Sequence, residues 1–159
     1  MKPTPAPEPA PRVHRRGPYE ISTERSRLDL SVIHRYLNES SYWSAGVPAE
    51  AVRRAVENSL PFGVYHQGTL VGFARVITDH ATFAYVGDVF VLDPHRGKGL
   101  SKWLMECMVE HPDLKDLRRW HLVTRDAQGL YAKFGFAEPP PGRHMERRRE
   151  NPYPVPPPA

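Results

Sequence analysis

The sequence predicts a single mixed α/β domain: a mostly antiparallel sheet in which the fourth and fifth strands form a central parallel pair, with helices flanking it. Three observations carry this expectation. Strand-like runs follow one another at "LPFGVYH", "TLVGFARVITD" and "ATFAYVGDVFVL", joined by links short enough only for antiparallel neighbours. "DVFVL" and "WHLVT" are instead separated by a helix-patterned stretch, and such a crossover sets two strands parallel. Of 18 prolines, six fall between Pro3 and Pro18 and eight between Pro139 and Pro158, so folding is confined to residues 18–150, with 1–17 and 151–159 expected as disordered proline-rich tails.

The elements follow in order. "YEISTE" alternates apolar and polar residues and reads as the first strand. Asp29 can cap a helix whose apolar face is Leu30, Ile33 and Leu37. A short aromatic link, "NESSYWSAG", leads to a second helix that Pro48 opens and Val52, Ala55 and Val56 stripe. Gln67-Gly68 turns a hairpin, and the β-branched and aromatic residues of "ATFAYVGDVFVL" make the fourth strand. From about Gly97 to Glu110, Leu100, Trp103, Leu104, Cys107 and Met108 fall at the spacing of a buried helical stripe, which Pro112 ends. "LRRWHLVT" is the fifth strand, "DAQGLYAKFGF" a short helix stopped at Gly135, and "GRHMERRRE" an expected edge strand.

Charge does not point to nucleic acid. The formal net charge is +4, but residues 1–17 contribute +3 and residues 143–150 contribute +2, which leaves the remainder near neutral. A basic tail is ordinarily a solubilising segment rather than a specific nucleic-acid site. The lone Cys107 excludes an internal disulfide, and no apolar run approaches the ~20 residues that span a bilayer. With no hydrophobic leader-like start, cytoplasmic residence without membrane association is the default expectation. The eight histidines are scattered without ligand spacing, so no metal is expected.

"LDPHRGKGLSKWLM" is the stretch with the most chemistry. A nucleotide P-loop fails, because the required first glycine falls on Leu92 and Gly99 stands where Ser or Thr belongs. A dinucleotide G-x-G-x-x-G fails at Lys102. What remains is a strand, a tight Arg-Gly-Lys-Gly turn and a helix start, whose unpaired amides and dipole make an anion site. Arg96 and Lys98 add cations, Ser101 a hydroxyl, and Gly97 and Gly99 close backbone approach. The alternative is an ordinary strand-to-helix turn carrying surface charge.

"VLDPHRGKGLSKWL" resembles the acyl-CoA pyrophosphate loop of the GNAT superfamily of N-acetyltransferases, R/Q-x-x-G-x-G/A. "LVTRDAQGLYAKFGF" resembles that family's next strand and short helix, and the likeness runs from about Tyr19 to Arg147. Two positions depart: Pro94 stands at the first motif position, and Ser101 where Gly or Ala is common. Neither removes an amide donor.

The resemblance implies a GNAT-like fold, acetyl-CoA as cosubstrate without metal, and direct acetyl transfer to the primary amine of a small molecule. It implies cofactor contacts at Arg96, Gly97, Lys98, Gly99, Leu100 and Ser101, and carbonyl polarisation by the main chain of Val89, Phe90 and Val91. Tyr131 falls at the family's general-acid position; from periodicity alone it is a core aromatic beside Ala127, Leu130 and Phe134. Asp88, a carboxylate in an apolar strand, is either the general base or the partner of Arg75 on the preceding strand. A water chain is the other route for the proton. Asp79 and His80 are weaker base candidates, and His95 and His121 read as structural. Tyr42, Trp43, Arg75, Phe83 and Tyr85 are the acceptor-binding candidates, with Tyr42 and Trp43 otherwise plugging the core below their loop. Competing readings are a macromolecular acceptor docked by the Arg-rich tails and a non-catalytic acyl-CoA-binding module. A homodimer is the prior for oligomeric state.

Overall fold

The computed structural model describes residues 1–4, 7–150 and 152–153, so most of the expected C-terminal tail lies outside the described residues. Six strands form one sheet in chain order: β1 (Val13–Arg16), β2 (Tyr19–Ser22), β3 (Leu60–His66), β4 (Thr69–Thr78), β5 (Phe83–Val91) and β6 (Arg119–His121). All neighbours are antiparallel except β5 and β6. The β3–β4 turn is Gln67-Gly68, with φ of 48° and 83°, the left-handed pair that a two-residue hairpin matched to strand twist requires.

Four helices cover the two faces. On one, α1 (Leu30–Arg35) and α2 (Ala49–Glu57) bury Ile33, Val52 and Val56 against Tyr65, Phe73 and Phe90. Asp29 caps α1 by accepting from the amides of Ser31 and Val32. On the other, α3 (Leu100–Val109) buries its whole expected stripe against Val64, Val76 and Val86, and α4 (Gln128–Ala132) adds Tyr131.

Three expectations need correction. Val13–Arg16, read as tail, form β1, so the parallel pair is the fifth and sixth strands rather than the fourth and fifth. Only one of its four residues is even half-buried, and the strand holds through its ladder to β2 and through Arg16, whose guanidinium lies 4.7 Å above the Trp103 ring. The pair is also at the sheet's edge, not its centre. The reason is the third correction: "GRHMERRRE" forms no strand, its single large apolar side chain, Met145, being fully exposed.

Between β4 and β5 the register jumps from Phe73↔Phe90 to Arg75↔Gly87, so that Asp88 and Val89 together oppose Ala74 alone. This is a β-bulge, and Asp88 sits in it with φ of 54°.

Candidate active site

The turn before α3 is built by backbone conformation. Gly97 and Gly99 have φ of 76° and 74°, a region costly for residues with a Cβ. A Cβ at either would meet nothing within 4 Å, so the space over the turn is open. Gly99 is the N-cap of α3 and no side chain caps the helix, which leaves the amides of its first turn as unclaimed donors. Arg96 is spent bracing this turn: it donates to the Val91 carbonyl at 2.9 Å and to the Tyr36 hydroxyl at 3.1 Å, and pairs with Asp93 at 2.9 Å. Lys98 is exposed beside it, and Ser101 is half-buried. These donors, the open space and the left-handed glycines fit a diphosphate.

The second component is a gap in the sheet. β6 pairs with β5 only from Phe83↔Arg119 to Tyr85↔His121, so Val86 to Val91 have β4 on one side and no strand on the other among the described residues. The gap widens into a cleft of about 670 Å³ that Tyr42, Trp43, Arg75, Tyr85, Asp88 and Tyr131 share. Val89 lines it too, whereas Phe90 and Val91 are buried and offer it their main chain only.

Tyr131 is 9% exposed, held on α4 by packing, and no described residue pairs with its hydroxyl. Burial, aided by nearby Tyr42, pushes this phenol above its ordinary value. Its proton is therefore retained at neutral pH.

Asp88 is engaged by two donors. Arg75 Nε donates to Oδ2 at 2.6 Å, the pairing the sequence offered as one alternative, and the Trp43 indole N–H donates to Oδ1 at 2.8 Å. Arg75 reaches further, donating to Ser59 Oγ at 3.0 Å, and the Ser59 hydroxyl donates to the Ala55 carbonyl in α2.

Tyr42 and Trp43 are 51% and 41% exposed, so they wall the cleft rather than plug the core, which Leu37 and Val47 fill. The Tyr42 hydroxyl accepts from the Arg125 amide at 3.2 Å, with the Arg125 guanidinium 3.9 Å above its ring, so their loop bridges to the segment before α4. Tyr85 lies within the cleft stacked on His121, and burial followed by the Asp88 charge pushes its phenol up.

Other candidates fall elsewhere. Phe83, at the start of β5, is exposed and outside the cleft. Asp79 accepts from the Thr82 hydroxyl and from the amides of Ala81, Thr82 and Phe83, which holds its carboxyl well below the usual range and makes it the clasp of the β4–β5 turn. His80, on that turn, lies 3.7 Å from Asp113, and neither it nor Asp79 reaches the cleft. His95 Nδ1 accepts from the Tyr19 hydroxyl at 2.8 Å, a packing contact, and burial pushes its imidazole down. Sequence reasoning missed Asp126, Glu146 and Arg148 on the cleft wall; the last two lie in the run read as a strand, where no periodic signal marks them. Among the described residues no cluster could hold a metal ion, and no helix is long and apolar enough to cross a membrane.

Comparison with known proteins bears on this geometry. The family model for the acetyltransferase (GNAT) domain matches residues 57–138. A protein of Gibberella zeae assigned to the acetyltransferases is 33% identical over 138 residues, covering 74% of this chain and 78% of its own. The spermine/spermidine N(1)-acetyltransferase of Bacillus subtilis is 27% identical, with 72% of this chain and 83% of its own covered. A crystal structure of a GNAT-family protein of Xanthomonas campestris pv. campestris superposes with a TM-score of 0.83 at 49% identity, covering 86% of this chain and 97% of that one.

Proposed function

The chain belongs to the GNAT family of acetyltransferases, and from that premise we propose that it transfers an acetyl group directly from acetyl-CoA to a primary amine of a small molecule. The observation that carries the reading is the cleft where β5 and β6 part, which brings Tyr131 and the bulged strand together in one space. Its volume, about 670 Å³, is that of a small-molecule site. The Bacillus relative is named for spermine and spermidine, both alkylamines, and this supports an alkylamine acceptor here.

Acetyl-CoA supplies an acetyl thioester whose diphosphate the amides from Gly97 to Ser101 would hold. Main-chain donors of Val89 to Val91 on the open edge would polarise the thioester carbonyl. The amine loses a proton to cleft water, since both oxygens of Asp88 already hold donors. The nitrogen lone pair then forms the C–N bond as the C–S bond breaks. Tyr131 gives its phenolic proton to the departing thiolate and recovers one from the new ammonium through solvent. The balance is one amide, one free thiol and one proton released.

The test is a panel of amines mixed with acetyl-CoA, followed by free-thiol release and by mass of the product. Saturable thiol release with N-acetylation of an alkylamine is expected. Tight acetyl-CoA binding without turnover of any amine would favour the binding-module reading, and acetylation of proteins alone the macromolecular one.

A further inference from the structure

We infer that Asp88 is the carboxylate that recognises the acceptor as a protonated alkylamine, and that Arg75 and Ser59 are positioning residues that hold Asp88 and Trp43 for this task. The inference rests on the acetyl-transfer reading above and names what its site selects.

The side chains of Asp88 and Arg75 are only 12% and 17% exposed, so each charge is largely withdrawn from water and each needs the other. A carboxylate offers about four acceptor positions. Arg75 and Trp43 take one each, and Asp88 still borders the cleft, so capacity remains for an ammonium group. The other acidic side chains on the wall are engaged at the rim: Asp126 with Arg125 at 3.5 Å and Glu146 with Arg148 at 3.2 Å, both largely exposed. The charge at the inner end of the cleft is that of Asp88.

The support behind Asp88 is a continuous chain of hydrogen bonds. The Ser59 hydroxyl is oriented by donating to the Ala55 carbonyl, which turns an oxygen lone pair toward Arg75. Arg75 is thus fastened at both ends, to Ser59 and to Asp88. Asp88 in turn fastens Trp43, a half-exposed indole otherwise free to swing with its loop. A carboxylate beside an indole recognises a cation twice, by charge and by the ring face. Asp88 is also held in the left-handed region by the bulge, a conformation that aspartate tolerates better than most residues.

The selectivity follows from charge. An alkylamine is protonated at neutral pH and an arylamine is not, so the carboxylate discriminates between them before any chemistry. The experiment measures KM and kcat with 1,4-diaminobutane and with aniline, both against acetyl-CoA, for wild type and for Asp88→Asn, Ser59→Ala, Ser59→Thr and Trp43→Phe. Wild type is expected to use the diamine with the higher kcat/KM. Loss of a charge-assisted bond should raise the KM for the diamine about tenfold or more in Asp88→Asn, leaving the KM for acetyl-CoA unchanged. Ser59→Ala should raise the same KM with little change in kcat, and Ser59→Thr, which restores a hydroxyl, should recover it. Trp43→Phe keeps a ring at an exposed site and loses only the N–H, so it tests the arrangement even if the buried variants fold poorly; a raised KM for the diamine is expected.

Three outcomes overturn the inference while leaving acetyl transfer intact: aniline preferred by wild type, equal losses for both amines, or diamine KM unmoved in Trp43→Phe and Asp88→Asn. Turnover of neither amine by a wild type that binds acetyl-CoA defeats the enzymatic reading itself, and this inference with it.

Discussion

Gly99→Val separates what the turn before α3 does for the fold from what it does for a ligand. Gly99 holds φ of 74°, and forcing a β-branched residue into that region costs about 1–2 kcal/mol. Nothing in the protein lies within 4 Å of a Cβ there, so no steric cost is added. Stability should therefore fall by about 1–2 kcal/mol in urea unfolding, and no more. The added methyls project into the space where a diphosphate would meet the first amides of α3. Disrupting one charge-assisted bond costs about 1.5–3 kcal/mol, so CoA affinity by calorimetry should weaken roughly 10- to 100-fold. Gly17, with φ of 56° and equally open space, is the control: Gly17→Val should show a similar stability loss and unaltered affinity. Wild-type CoA affinity in Gly99→Val would refute close approach of the diphosphate, and equal losses in the two variants would refute its localisation.

Removing the Tyr131 hydroxyl orphans no described group, so Tyr131→Phe should fold as well as wild type, bind CoA normally and lose about 10²- to 10⁴-fold in kcat, as measured under single turnover. The Tyr65 hydroxyl is buried without a partner, so Tyr65→Phe should be more stable by about 1 kcal/mol in urea unfolding at pH 7. Burial pushes Tyr65 from 10 up to about 12; a folded value above the unfolded one gives stability that is complete below pH 10 and lost between about 10 and 12. That alkaline slope should be shallower in Tyr65→Phe, though not absent, because burial also pushes Cys107 up to about 12. Deleting residues 1–11 removes only an exposed ion pair, Glu8–Arg25, and should shift stability by less than about 0.5 kcal/mol; deleting 1–17 also removes β1 with the Arg16–Trp103 contact and should cost more than about 2 kcal/mol by the same assay.

Much of the fold was legible because burial leaves a periodic trace. The stripe from Leu100 to Met108 and the Gln67-Gly68 turn stand in the sequence as they stand in the molecule. β1 left no such trace: "VHRR" has one apolar residue and is kept by backbone pairing and by arginine stems lying over α3, neither of which alternates along the chain. The arginine-rich segment after Gly142 misled for the converse reason, since its length and position suited a closing strand while its side chains had nothing to bury. At the site, the glycine turn and Tyr131 could be read from local motifs. The bonds from Arg75 to Asp88 and to Ser59 span 13 and 16 residues, and Trp43 reaches Asp88 across 45; of these, only the cross-strand pair with Asp88 follows from neighbouring strands.

The bulge at Asp88 also keeps count. Ala84 and Val86 belong to the α3-side core and Phe90 to the opposite one, with Val91 back on the α3 side, so the strand changes parity in midcourse. Excising that one position would restore plain alternation and turn Phe90 and Val91 each toward the other's layer, undoing both cores while every recognisable motif stayed in the text. Exchanging Asp88 for another side chain preserves the frame. The address of the cleft is thus written in the number of residues as much as in their kinds, and lineages of this chain should vary at that site by replacement, never by loss.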